Sequence, residues 1–371
     1  MKMMWSDQPS AAMATGNPMR VPVPRIPMNT PDAMLPTDAG KFSCWAGRRV
    51  LITGGLGFIG SNLALRLAGL GADVVVIDSL VPEYGGNPFN LEGDGLDGAA
   101  PPVRINVSDI RDPHSLRWLM HDRELIFNLA GQTSHLDSMN DPFTDLAING
   151  AAQLSILEIC RQHNPGARIV FASTRQIYGR PRYLPVDEAH PLDPVDVNGI
   201  NKIAGESYHM LYTRVYGLQT TALRLTNTYG PRMRIKDARQ TFLGVWVRAV
   251  IEGQPFEVWG GEQLRDYTYV DDAVDALMRL AMAEDAVGRA FNLGGDGVYS
   301  LADTAALLAS VSGGRYSIHE FPAERKRIDI GDYYADDRAF RTVTGWVPRV
   351  PLEDGLQRTV AYYRRYVRHY L

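Results

Sequence analysis

Three glycines at a spacing of three, Gly54, Gly57 and Gly60, lie between a short apolar run, Val50 to Thr53, and a helical pattern reaching about Leu70. That pattern suits one task, the holding of a pyrophosphate on bare backbone. The first glycine permits a tight turn, the second lets the main chain approach a phosphate, and the third lets helix and strand pack closely. The helix N-terminus, with Phe58 and Ile59 between the last two glycines, offers unpaired N–H groups and a partial positive charge. A second apolar run, Val74 to Ile77, ends in Asp78, eighteen positions after Gly60. An acid there accepts hydrogen bonds from a ribose diol, which favours NAD over NADP. A glycine triplet alone is weak evidence. Here strand, triplet, helix, strand and acid occur in the order the motif requires.

Elements that position such a turn follow along the chain. A loop without helical or strand period is expected over Val81 to Pro102. Short apolar runs at Val103–Asn106, Leu125–Leu129 and Arg168–Ala172 read as strands, and helices are expected at about Pro113–His121 and over Pro142–His163. Strands alternating with helices imply an α/β fold, a Rossmann doubly wound parallel sheet, with ligands at the carboxyl ends of its strands. Beyond a helix from Asn198 to Val215 and a strand from Thr220 to Leu225, the elements are shorter and mixed. Helices are expected at Thr241–Glu252, from Val270 to about Ala283, and at Leu301–Ser312 with Ser300 as N-cap. Short strands are expected at Phe256–Trp259 and Leu264–Tyr269, and a turn at Asn292–Gly295. This suggests a smaller mixed α/β lobe for substrate. The expected division is a dinucleotide domain over 46–230 and a substrate lobe mainly over 231–371, interleaved with it.

Composition removes several classes. A chain of 371 residues has room for a large core and two domains. Its net charge of −4 argues against a general nucleic-acid or anionic-membrane surface. Cys44 and Cys160 are the only cysteines, and the histidines lack ligand spacing, so neither a disulfide framework nor a metal site is expected. No run of about 18 apolar residues predicts a membrane span. Residues 1–45, rich in Met, Pro and Ala, read as a flexible leader without the apolar segment of a secretory signal. Translation from Met28 or Met34 is an alternative start, and cytoplasm is the expected location.

Five stretches carry a resemblance. They are Thr53–Gly60, Phe171-Ala172-Ser173-Thr174-Arg175-Gln176-Ile177-Tyr178-Gly179, Asn201–Glu206, Asn227–Arg232 and Arg265–Asp272. In order and spacing the chain from about residue 48 resembles the extended short-chain dehydrogenase/reductases, the nucleotide-sugar epimerases, dehydratases and decarboxylases. The resemblance implies a tightly held NAD and a nucleoside-diphosphate sugar. Chemistry in the family begins with oxidation of a sugar hydroxyl. A Tyr takes its proton, a Lys four residues later lowers the pKa of that Tyr, and a Ser or Thr bonds the reacting oxygen. Lys202 and Thr174 match the Lys and the Ser/Thr, and the Tyr position is Asn198. An amide has no accessible proton, so Asn198 is not a general base.

Three explanations follow from this departure. In the first, which we favour, the base has moved, with Lys202, His135, Asp137 and Tyr178 as candidates. In the second, the chain binds NAD and nucleotide sugar without chemistry. In the third, the sugar needs no strong base. The positions of the acidic pair of the 4,6-dehydratases hold Arg175 and Gln176, and a Glu of the decarboxylases stands where Gln176 is. Epimerisation, which needs no such carboxylate, therefore leads, although the run from Asn227 to Met233 is decarboxylase-like. By the same resemblance Asp109 and Ile110 meet the adenine, Ala130 and Gly131 line the pyrophosphate side, and Asn149 supports the active-site loop. His135, Gln176, Asn227, Arg232, Arg265 and Arg325 face the substrate. Two long helices, Pro142–His163 and Asn198–Val215, would pair in a homodimer.

Overall fold

β1 (Arg49–Thr53) and β2 (Asp73–Asp78) are apolar on both faces, and a strand of that kind is stable only inside a sheet covered on both sides. In the computed structural model, which describes residues 44–82, 84, 86–92, 103–321 and 329–371, they occupy that position. Residues 1–43 of the expected leader and the predicted substrate residue Arg325 lie outside the described residues. With β3 (Arg104–Val107), β4 (Leu125–Asn128), β5 (Arg168–Thr174), β6 (Gln219–Leu225) and β10 (Ala290–Asn292) the two strands form a seven-stranded sheet. Its order is β10-β6-β5-β4-β1-β2-β3, and every pairing is parallel. This is the expected doubly wound Rossmann sheet. Ile52, Val76 and Phe127 on one face, and Leu51, Ile77 and Ile126 on the other, are fully or almost fully enclosed. Burial of each such side chain contributes roughly 1.5–3 kcal/mol.

Helices α1 (Phe58–Gly69), α2 (Pro113–Met120), α3 (Ala152–His163) and α4 (Val197–Tyr216) make the crossovers of this sheet. The smaller part contains α5 (Phe242–Ile251), β8 (Phe256–Trp259), β9 (Leu264–Tyr269), α6 (Val270–Met282), α7 (Leu301–Ser312), α8 (Arg338–Thr344) and α9 (Leu352–Tyr366). β9 pairs in parallel with β7 (Asn227–Tyr229) and antiparallel with β11 (Val298–Ser300), and β8 pairs with β12 (Tyr316–His319). Ser300 caps α7 through a reciprocal capping box with Asp303.

Three expectations are refined. The helix over 142–163 runs unbroken, as expected, but is not α-helical throughout. A short turn of helix (Pro142–Asp145) runs into a π-helix (Leu146–Ala151) before α3 begins. The wide turn sets the Asn149 amide 2.9 Å from the Gln132 carbonyl oxygen, to which it donates; π-bulges often occur at such functional positions. The residues around Asn292 are not only a turn, because β10 enters the sheet beside β6. Three residues are too few to show a period, and fully buried Phe291 anchors the strand. Within the expected loop over 81–102, Phe89–Glu92 forms a helical turn.

Candidate active site

One wall of the site is made of backbone. Gly54 has φ +69, and a Cβ there would meet the Ala130 main chain at 3.0 Å. At Gly60 a Cβ would lie 2.2 Å from the Gly54 oxygen, so only glycine lets α1 start this close to β1. Gly57, the N-cap of α1, supplies no side-chain cap, and the first amides of the helix stay directed at the cleft. Thr53 Oγ1 accepts from the amides of Leu129 and Ala130 and donates to Asn128, which ties the Ala130–Gly131 turn to β1.

Asp78 closes β2. Its two oxygens accept from the amides of Leu56 (3.1 Å) and Leu80 (2.9 Å). Burial raises its carboxyl pKa and these amides oppose the rise. A Cβ on Gly86 would stand 2.5 Å from one of those oxygens. Asp109 is clasped by Arg111 through both oxygens, which lowers the carboxyl pKa, and Ile110 is buried beside it. A glycine cradle, an uncapped helix terminus and an acid at the end of β2 together fit a dinucleotide with an unmodified ribose diol.

The opposite wall is made of side chains. It faces the same cleft, whose cavity volume is about 380 Å³. Thr174 ends β5, and its Oγ1 accepts from the Gln176 amide at 3.3 Å. Lys202 projects from α4, and its Nζ donates to the Ala172 oxygen at 3.1 Å and would lie 3.1 Å from a Cβ on Gly131. Burial pushes its pKa down to about 8, and Asp145 partly opposes the shift. Asn198, one turn earlier on α4, is bound from several sides. Its Nδ2 donates to the Gln132 carbonyl (2.7 Å) and to Asp145 Oδ2 (3.0 Å), while Asn201 donates to the other oxygen of Asp145 (2.8 Å). Asn198 therefore braces the loop at Gln132, as Asn149 does.

The candidate bases separate on geometry. Tyr178 is fully buried; its hydroxyl donates to Asn292 and accepts from Arg224, and its pKa is pushed up to about 12, chiefly by burial. Asp137 is paired with Arg239 at 2.8 Å. Lys202 stands against Ala172 and Gly131. His135 lies beside Gln176 with its Nδ1 2.7 Å from Asp196 Oδ2 and its Nε2 2.7 Å from Gln176 Nε2. Tyr84 also reaches the cleft; burial first, then Asp141 and Asp137, raises its pKa, so it keeps its proton.

Below Thr174 lies a buried network. Ser173 Oγ donates to Glu206 Oε2 (2.6 Å), Arg224 pairs with Glu206 (2.6 Å), and Tyr178 bridges Arg224 to Asn292. It joins β5, α4, β6 and β10 and holds the end of β5 in place.

The predicted substrate residues are not all brought together. His135, Gln176 and Asn227 line the cleft. The Asn227 amide is held between Arg175 Nη2 (2.9 Å) and the Asp266 carbonyl (2.9 Å). Arg232 does not face the cleft. With φ +73 its side chain turns back to the Asn90 carbonyl and Asn62 Oδ1 and lies over Tyr362, where it fastens α1 to α9. Arg265 is buried against the carbonyls of Leu264 and Gly331, 3.5 Å from Asp329. Arg175, read from the sequence only as a missing acid, reaches the cleft, and its Nη1 is buried without a partner. Burial and then Arg265 push its pKa down to about 10. Asp196 was also missed. The signal for Asp196 was its place just before α4, where it caps the helix through the Gly199 amide (2.7 Å).

Residues 50–294 match the model of the NAD dependent epimerase/dehydratase family. A putative UDP-glucose 4-epimerase of Methanocaldococcus jannaschii is 32% identical over 316 residues, which are 84% of this chain and 97% of that protein. The UDP-glucuronic acid decarboxylase 1 of Xenopus tropicalis is 31% identical over 334 residues, 87% of this chain and 73% of its own length. The crystal structure of the UDP-glucose 4-epimerase of Thermotoga maritima with UDP-glucose has a TM-score of 0.76 at 30% identity, covering 86% of this chain and 99% of that one.

Proposed function

The chain belongs to the NAD-dependent epimerase/dehydratase family, and from that premise we propose that it epimerises a nucleoside-diphosphate sugar through a transient keto-sugar, in the manner of a 4-epimerase. The observation that carries this reading is the meeting of Thr174 and Lys202 with the Gly131 turn in the cleft that holds the glycine cradle. When bound there, NAD supplies an acceptor and then a donor of hydride. Gly54, Gly57, Phe58, Ile59 and Gly60 would hold its pyrophosphate, Asp78 its adenosine ribose, and Asp109 with Ile110 its adenine. Ala130, Gly131 and Lys202 would position the nicotinamide end. Thr174 would hydrogen-bond the reacting sugar oxygen, and Arg175 would take negative charge from the substrate.

Neither Arg175 nor Gln176 supplies a carboxylate for elimination, which supports epimerisation. A second reading, loss of carbon dioxide from a nucleotide-linked uronic acid, is favoured by the unpartnered Arg175 Nη1, which suits an anionic sugar. A third is a binder without turnover, left by Asn198 at the Tyr position. We assign residues 46–230 chiefly to cofactor and 231–371 chiefly to substrate, in a cytoplasmic homodimer. Exposed Phe143, Leu146, Ile200, Leu211, Val215 and Tyr216 on the expected pairing helices support the dimer.

Incubation with UDP-, GDP-, CDP-, ADP- and dTDP-sugars, followed by NMR, tests the reading. Inversion at one carbon is expected. Release of carbon dioxide or water would replace it with the decarboxylase or dehydratase reading. Retained NAD with no turnover on any sugar would leave the binder.

A further inference from the structure

Asp196 and His135 come from segments 61 residues apart and meet at 2.7 Å on the rim of the cleft. Their exposures differ: the Asp196 side chain is 2% exposed and that of His135 36%. The carboxylate is therefore enclosed while the imidazole reaches the cleft. Asp196 is fixed twice, because its second oxygen accepts from the Gly199 amide at the start of α4, where a helix terminus favours negative charge. A carboxylate on Nδ1 makes that nitrogen the donor and leaves Nε2 as the acceptor. Gln176 Nε2 lies 2.7 Å from His135 Nε2, and in this amide orientation, with the nitrogen donating, Nε2 accepts.

Gln176 supplies a second observation. Its Oε1 is buried without a partner. Half a turn of the amide would put that oxygen where the nitrogen is, ready to accept from a protonated Nε2. Gln176 thus has an atom suited to each protonation state of the imidazole.

Resting on the epimerase reading above, we propose that His135 Nε2 takes the sugar hydroxyl proton, with Asp196 as its positioning residue, in place of the family Tyr whose position Asn198 occupies. The sugar hydroxyl replaces the Gln176 amide at Nε2. The hydroxyl O–H bond would break toward Nε2, and bound oxidised NAD would supply the acceptor for the carbinol hydrogen with its electron pair, leaving a carbonyl. In the second half-reaction Nε2 would return its proton to the carbonyl oxygen, and the hydride would return to the opposite face of the carbonyl carbon. Charged groups on the same turn or in the same cleft include Asp137, paired with Arg239 from the loop after β7, together with Lys202 and Arg175, while Asp145 accepts from Asn198.

The test uses the full-length protein and the sugar identified by the panel. In nitrogen NMR without sugar, His135 is expected as the Nδ1–H tautomer. His135→Ala is expected to lower kcat by roughly 10²–10⁴-fold, the usual contribution of a positioned base. Its NAD content should stay unchanged, and added imidazole should restore part of the rate. The acid limb of kcat/KM should disappear in the variant. Asp196→Asn keeps an oxygen for the Gly199 amide but no longer selects the tautomer. It should move the proton to Nε2 and lower kcat more than it changes KM, and it carries the test if His135→Ala does not fold. Full turnover by His135→Ala, or an Nε2–H tautomer in the parent, overturns the proposal while the epimerase reading stands. A parent that inverts no sugar overturns the epimerase reading and the base with it.

Discussion

The two walls of the cleft are built by different means. The pyrophosphate and ribose part of the cofactor wall is one continuous stretch, β1, the glycine turn, α1 and β2, and its working atoms are mainly main-chain amides. The proton wall gathers Thr174 from β5, Asn198 and Lys202 from α4, His135 from a separate helical turn and Asp196 from the residue before α4. A backbone device tolerates almost no added atoms but needs few partners. A side-chain device tolerates exchange of one group for another, provided that the buried polar atoms beneath it remain satisfied. That difference lets an amide stand at residue 198 while the glycine turn remains complete.

The sharpest break in the proton wall is expected from its floor. Glu206→Gln would leave the buried Arg224 guanidinium without its charge partner, now 2.6 Å away. The expected loss is about 3–5 kcal/mol of stability in urea unfolding; a loss well below that range would show that the network does not hold the wall. Gly60→Ala attacks the other wall. Its new methyl would fall 2.2 Å from the Gly54 oxygen, at a cost of about 1–3 kcal/mol, and the purified protein should no longer retain NAD. Retention at the parent level would refute the close approach.

Asn198→Ala separates bracing from catalysis. Losing its bonds to Gln132 and Asp145 is expected to cost about 1.5 kcal/mol, with NAD still bound. Asn198→Tyr should likewise keep the fold and the NAD, and loss of NAD there would refute the placement of residue 198 beside the nicotinamide.

Lys202 gives a pH test. Its folded pKa of about 8 lies below the ordinary 10.5, so between those values the unfolded chain binds more protons. Stability of the NAD-free protein should therefore rise with pH across that window. Lys202→Met should flatten the rise, and an unchanged slope would show that Lys202 is not the group responsible. The smallest effect is expected from Arg232→Ala. Its side chain joins α1 to α9 away from the cleft, so the KM for sugar should not change; a raised KM would return Arg232 to the substrate site.

The legible and hidden parts divide along the same line. The glycine turn could be read because its contacts are local: Gly54, Gly57, Gly60 and Asp78 lie within 25 residues of one another. β8, β9 and α7 have the predicted bounds because each has a strong pattern or cap of its own. β10 was hidden because three residues have no period, and the π-helix because its register depends on what Asn149 must reach. Arg232 was misplaced because a basic loop looks the same whether its side chains face a ligand or another helix.

By itself the sequence determined the α/β order, the dinucleotide turn and the absence of an ionisable group at residue 198, since each depends on neighbouring residue types. Only the tertiary structure decided that Asn198 is a brace, that Tyr178 is sealed into a network, and that Asp196 meets His135. Those roles depend on distances between segments tens of residues apart, and on which polar atoms burial leaves without water.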